Sequence, residues 1–244
     1  MKKKKPIFKL KVDKNIKLKN KSWSFDNGVA NKFDKHIQKS VPLYNEIQWL
    51  CSEISDYFIK NNTLVYDLGC STGSFLKKLF VRHKHKKKIN FFGIDIVKEM
   101  INFAKKNNSN NQIRYLQKDL LKAKLKKNNF TISFFTIQFI DQKDRQKLID
   151  KIFQSLNWGG AFFFAEKIRS SDARNQEMTN EIYKNWKLER GFSLQEVNRK
   201  TESLKGVLDP FTHKGNFNML KRAGFDEIHV LSKFLNFQII LAIK

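Results

Sequence analysis

A short apolar run, Leu64 to Leu68, leads directly into Gly69-Cys70-Ser71-Thr72-Gly73 and then into Ser74-Phe75-Leu76. This order of strand, tight glycine turn and helix start constrains the fold more than any other part of the chain. It brings bare backbone and a helix amino end toward whatever lies beyond the strand. The glycines do not fit the dinucleotide spacing G-x-G-x-x-G, but Asp67, Gly69 and Gly73 follow D-x-G-x-x-x-G. Plain packing of a strand against a helix is the competing reading of such a turn. The downstream strand ends decide between the two.

The rhythm around this turn predicts an α/β fold. Strands are expected at Leu64 to Leu68, Ile89 to Ile94, Ile113 to Gln117, Phe130 to Phe135 and Ala161 to Glu166. Helices are expected at Gly73 to His83, Val97 to Asn107 and Lys143 to Leu156. Strands alternating with helices imply a doubly wound, Rossmann-like, mostly parallel sheet. Upstream, Val29 to Ser40 and Tyr44 to Lys60 have helical spacing, with Pro42 between them. Ser170 to Leu208 breaks the rhythm and reads as a helical, lid-like insertion. Gly159-Gly160 turns the chain into its strand, Phe217 to Ala223 is a helix stopped by Gly224, and Glu227 to Ser232 pairs with Phe237 to Ile243 as a C-terminal antiparallel hairpin. Residues 1–21 read as a basic tail, and Trp23 and Phe25 as anchors that open one domain over 22–244.

Composition narrows the class. A chain of 244 residues, 41% hydrophobic and 13% aromatic, can bury a sizeable core. Cys51 and Cys70 form neither a disulfide framework nor a metal-ligand spacing, which points to a reducing, cytoplasmic setting. No run approaches the roughly 18 apolar residues of a membrane helix. Lys2 to Lys5 have no apolar segment behind them, which argues against a secretory signal. The formal charge of +25 has two readings. One is a nucleic-acid surface. The other is a solvated face enriched in lysine by an AT-rich genome, with lysines spread over the whole chain. Loose electrostatic binding to RNA at low salt follows from either.

Carboxylates recur at successive strand ends. Asp67 precedes the glycine turn, Asp95 ends the second strand and Asp119 the third. In such sheets ligands sit beyond the carboxyl ends of the strands. A carboxylate at 95 suits two ribose hydroxyls, or alternatively caps the next helix. An acceptor at 119 suits an adenine amino group above Leu120, or alternatively closes a turn. Together they describe a nucleoside pocket, and the D-x-G-x-x-x-G turn points to S-adenosylmethionine.

These motifs, with Leu156-Asn157-Trp158-Gly159-Gly160 and Leu220 to Phe225, resemble class I S-adenosylmethionine-dependent methyltransferases. Four runs sharpen the resemblance: Ser22-Trp23-Ser24-Phe25-Asp26, Gln38 to Tyr44, Val65 to Ser71 and Phe135-Thr136-Ile137-Gln138-Phe139. Over residues 22–244 the chain resembles the carboxy-S-adenosylmethionine synthase family. The resemblance implies an enzyme that converts S-adenosylmethionine and prephenate to carboxy-S-adenosylmethionine and phenylpyruvate. It implies a homodimer, and a product handed to a separate tRNA carboxymethyltransferase acting on a wobble uridine. It also implies that Tyr44, Gly69, Cys70, Ser71, Asp95, Ile96, Asp119 and Leu120 bind the nucleoside. No metal is implied. No His–Asp or Cys–His constellation is evident, and no catalytic residue is assigned.

Two positions depart from the family. Phe134 stands where the family has asparagine, and Thr201 where it has the arginine that grips the new carboxylate. Arg199 and Lys200 beside it are the expected substitutes. The rival readings are an ordinary methyltransferase acting on RNA or a small molecule, and a cofactor-binding protein without turnover.

Overall fold

The computed structural model describes residues 30–244. The basic tail, the anchors Trp23 and Phe25, the run Ser22 to Asp26 and the expected helix start at Val29 lie outside the described residues. Two helices open the described part, α1 (Ala30–Ser40) and α2 (Tyr44–Phe58). Leu43 between them adopts φ 57, reversing the chain after Pro42. Then follow β1 (Leu64–Leu68), α3 (Ser74–His83), β2 (Asn90–Asp95), α4 (Lys98–Asn108), β3 (Ile113–Gln117) and β4 (Asn128–Phe134). A single 3-10 turn (Ile137–Phe139) leads to α5 (Gln142–Ser155) and β5 (Leu156–Lys167). The expected insertion is two helices, α6 (Ala173–Glu189) and α7 (Leu194–Ser203). The chain closes with α8 (His213–Ala223), β6 (Glu227–Phe234) and β7 (Phe237–Ile243).

The seven strands form one sheet in the order β3-β2-β1-β4-β5-β7-β6. Strands β1 to β5 are parallel, and β7 runs antiparallel to both β5 and β6. The α/β doubly wound sheet with its antiparallel hairpin is therefore as expected. From β1 the chain winds outward through β2 and β3, then returns to place β4 on β1's other side. That reversal makes the carboxyl ends of β1 and β4 the switch point, where a crevice opens.

Apolar side chains cover both faces of the sheet. Val65, Phe91, Phe130 and Phe163 pack with Cys51, Phe75, Leu76 and Leu79 on one face. Tyr66, Leu68, Phe162 and Phe164 pack with Leu148, Ile149, Ile152, Met219 and Leu220 on the other. Successive β5 residues thus point to opposite cores, as strand geometry requires. Each fully buried phenylalanine contributes about 1.5–3 kcal/mol through area removed from water.

Among the boundaries that differ from expectation, four do so for identifiable reasons. Strand β4 stops at Phe134 because Phe135 adopts φ 54. Helix α2 ends two residues early, with Ile59 extended and its N–H on Ser55 O. Leu156 belongs to β5, pairing with Asn128 before a bulge carries the chain through Gly159-Gly160. Helix α8 begins at His213, where Thr212 Oγ1 accepts the Gly215 N–H at 3.0 Å. No helix among the described residues is long and apolar enough to cross a membrane.

Candidate active site

A cavity of about 900 Å³ opens at the switch point. The part of it beside β1 is built from backbone. Gly69 has φ 82, and a Cβ there would lie 2.0 Å from Thr136 Oγ1. Gly73 has φ 71, and a Cβ would lie 2.5 Å from the Tyr115 ring. Only glycine serves at either position without strain. The turn after β1 is laced to its neighbours: Gly69 N–H and Cys70 N–H both donate to Ile94 O (2.7 and 3.2 Å). Tyr115 OH donates to Gly73 O (3.0 Å), and Thr72 Oγ1 donates to Asp34 Oδ1 (2.8 Å).

Asp67, Asp95 and Asp119 all line this cavity, as do Tyr44, Gly69, Cys70, Ser71, Ile96 and Leu120. Every residue expected to hold the nucleoside therefore lines the one cavity. The structural alternatives for Asp95 and Asp119 also hold in part. Asp95 accepts the Ser71 N–H on Oδ2 and the Val97 N–H on Oδ1, both at 2.9 Å. Asp119 Oδ1 accepts the Leu121 N–H at 2.8 Å. A carboxylate offers about four acceptor sites, so these bonds aim the groups without exhausting them. Burial, then the neighbouring Asp95, pushes the Asp67 carboxyl up to about 7. Burial also raises Asp95, opposed by the N–H groups of Val97 and Ser71. The Cys70 thiol is raised by burial and by the same two carboxylates, which leaves it inert as a nucleophile.

The floor is the segment after β4. Glu166, at the end of β5, is buried and accepts N–H bonds from Thr136 (3.1 Å), Ile137 (2.9 Å) and Gln138 (3.0 Å). Burial nevertheless pushes its carboxyl up to about 8. Arg145 donates to Gln138 O (3.0 Å) and Ile140 O (2.8 Å). Together they hold Phe135 in its left-handed conformation, a cost of about 1–3 kcal/mol that over-determined surroundings can sustain. Phe134, where the resemblance leads one to expect asparagine, packs on Phe75 (4.9 Å between centroids) and Phe163 (5.7 Å) and lines the cavity.

The lining contributed by β5 and the α6–α7 region is rich in lysine. Lys167, Lys184, Lys187, Lys200 and Lys205 belong to it, from β5, α6, α7 and the residues after α7. Lys200 Nζ contacts His36 Nε2 and lies 3.4 Å from Ser40 Oγ. An ammonium only donates, so His36 carries its hydrogen on Nδ1. Burial, then Lys200 and Lys187, depress His36 to about 3, so it is neutral. Lys184 pairs with Glu181 at 2.9 Å. Of the two expected carboxylate ligands, Lys200 reaches the wall, whereas Arg199 is exposed and off it. Thr201 lines the cavity with its hydroxyl on Val197 O (2.9 Å).

Sequence reasoning missed Asp34, Glu166, Lys167, Tyr183 and Lys187. Glu166 carried a usable signal, a carboxylate closing an otherwise apolar strand. The lysines carried none in so lysine-rich a chain. No cluster of His, Cys, Asp or Glu suited to a metal ion is found among the described residues.

Comparisons with known proteins speak to the family and the fold. The Methyltransferase domain family matches residues 65–160. The carboxy-S-adenosyl-L-methionine synthase of Staphylococcus epidermidis is 38% identical over 223 residues, 91% of this chain and 97% of that protein. The protein of the same name from Campylobacter lari is 36% identical over 92% of this chain and 95% of its own length. Human N-acetylserotonin methyltransferase, solved in complex with SAM, aligns with TM-score 0.60 and 19% identity over 89% of this chain and 56% of that chain. A Mesorhizobium loti SAM-dependent methyltransferase aligns with TM-score 0.56 and 19% identity, over 81% of this chain and 98% of that one. Both structures speak to the fold alone.

Proposed function

This chain belongs to the carboxy-S-adenosyl-L-methionine synthase family of methyltransferase-like transferases, and from that premise we propose that it converts S-adenosylmethionine and prephenate to carboxy-S-adenosylmethionine and phenylpyruvate. One observation carries the reading: a single cavity of about 900 Å³ is lined by carboxylates and open backbone from the ends of β1 to β3 and by lysines from β5, α6 and α7. That volume lies near the top of the roughly 300–1,000 Å³ range for small-molecule sites, with room for two reactants.

In this reading Asp95 accepts the ribose hydroxyls, Asp119 the adenine amino group, and Leu120 packs against the ring. The turn amides at Gly69, Cys70 and Ser71 and the Tyr44 side chain complete the nucleoside site. Asp67 faces the cationic amino-acid end. The sulfonium supplies an acidified methyl. The ring carboxylate of prephenate leaves as carbon dioxide, its hydroxyl leaves with the methyl proton as water, and the methyl carbon bonds to the carbon dioxide. The protein's part is to align the reactants and keep water out, for which Phe134, Phe135 and Phe75 supply an apolar wall. We further assign residues 22–244 to one domain with α6 and α7 as its lid. A homodimer, a cytoplasmic setting and hand-over of product to a tRNA wobble-uridine carboxymethyltransferase belong to the same proposal.

Ordinary methyl transfer is the second reading. Phe134 and Thr201 favour it, because neither offers the polar or charged contact expected there. Incubation with S-adenosylmethionine and prephenate, followed by mass spectrometry, separates the two. Phenylpyruvate with a nucleoside heavier by one carbon dioxide supports the proposal. S-adenosylhomocysteine, or unchanged nucleoside, refutes it.

A further inference from the structure

Lys167 begins on rigid ground. It is the last residue of β5, directly after Glu166, and its N–H donates to Gln138 Oε1 at 3.0 Å. Its Nζ lies 5.1 Å from the centroid of the Tyr183 ring, and Lys187 Nζ lies 4.2 Å from the same centroid. That ring is well fixed. Its hydroxyl donates to Ser40 O at 2.5 Å, and it packs on Phe237 (5.3 Å) and Trp186 (5.9 Å). Both lysines line the cavity, and no carboxylate of the described residues pairs with Lys167. Burial lowers the Lys167 ammonium from its ordinary value with no acidic group opposing the shift.

Lys167 is partly buried, and a desolvated cation without a paired carboxylate is costly. An anion at Lys167 offsets that cost, and the second ammonium beside the same ring adds to the attraction. The ring also attracts the cations through its face, which holds them in place.

Resting on the function proposed above, we propose that Lys167 and Lys187 seat the carboxylate that the donor keeps, the one on its pyruvyl side chain. The departing ring carboxylate belongs elsewhere. Its negative charge must drain into the ring as the carbon–carbon bond breaks, and an ammonium on it would hold that charge back. The retained carboxylate carries the same charge before, during and after the reaction. Binding it therefore lowers KM without touching the chemical step.

Steady-state kinetics on the full chain test this. Lys167→Met is expected to raise KM for prephenate about 10- to 100-fold, the worth of a charge-assisted contact, with kcat within about threefold. KM for S-adenosylmethionine stays unchanged. Phenylpyruvate keeps the same carboxylate, so its inhibition constant rises by the same factor. Lys167→Arg restores most of the affinity, and Lys187→Met raises the same two constants even where Lys167→Met does not fold. Lys233→Met, an equal charge loss on exposed β6, changes neither. An unaltered prephenate KM in Lys167→Met or Lys187→Met overturns the assignment, as does an unaltered phenylpyruvate constant. The function and the seat fail separately. Where the wild type makes no carboxy-S-adenosylmethionine, the function is lost. Phenylpyruvate binding to S-adenosylhomocysteine-loaded protein then decides the seat: weaker binding by Lys167→Met supports it, and equal binding ends it.

Discussion

The two ends of the cavity are made of different materials. Where the nucleoside is proposed to bind, the groups are short and fixed by the sheet: turn amides after β1, Asp95 closing β2, Asp119 just beyond β3. Each is set by strand register and by hydrogen bonds to its neighbours. Where the donor is proposed to bind, the groups are long lysine chains, steadied by Tyr183 and His36 and carried largely by helices outside the sheet's own crossovers. The first end resists change and is shared by a whole fold. The second is adjustable, and there a family can exchange one cation for another.

The sharpest way to break this contrast is Gly69→Ala. Its φ of 82 and a Cβ 2.0 Å from Thr136 Oγ1 combine strain with overlap. We expect a loss of about 3 kcal/mol in chemical denaturation, together with loss of nucleoside binding. Gly159→Ala shares the positive φ but meets nothing within 4 Å, so its cost should be only about 1 kcal/mol. Next comes Asp95→Ala. It removes the bonds to Ser71 and Val97 and the proposed ribose acceptor, and calorimetry should show S-adenosylmethionine affinity reduced about 30- to 100-fold. If the two ends are distinct, KM for prephenate at saturating nucleoside moves far less.

The third test uses pH. The Asp67 carboxyl is raised to about 7, so it is protonated below that value and ionised above it. A cationic ligand end favours the ionised form, and binding then releases a proton. Affinity for S-adenosylmethionine should rise with pH through about 7, by at most about tenfold per unit. Asp67→Asn should flatten that profile. The smallest effect is at Lys200, whose Nζ already contacts His36 and Ser40. Lys200→Met should raise KM for prephenate about fivefold, or about 1 kcal/mol, and leave nucleoside affinity alone.

The same contrast decides what the sequence could reveal. Asp67, Gly69 and Gly73 were legible because a tight turn between strand and helix demands those residue types at that spacing. Asp95 and Asp119 followed from strand ends. The order of strands gave the sheet, and the closing hairpin was visible in two apolar runs. Phe135 was not: nothing in its identity announces a left-handed residue, so the expected end of β4 lies one residue past the observed one. Lys167 and Lys187 were hidden by composition, since lysine is everywhere in this chain and only packing against Tyr183 singles these two out. Arg199 shows the converse error. Proximity in sequence to Thr201 suggested a ligand, but on α7 neighbouring residues face different ways, and Lys200 lines the cavity whereas Arg199 does not.

The central claim is that this cavity brings a sulfonium nucleoside and a dicarboxylate together so that one carbon passes between them. Prephenate carrying carbon-13 in its ring carboxylate tests that claim most directly. Mass spectrometry should find the label in carboxy-S-adenosylmethionine and none in phenylpyruvate. Unlabelled nucleoside, or S-adenosylhomocysteine in its place, would contradict the account.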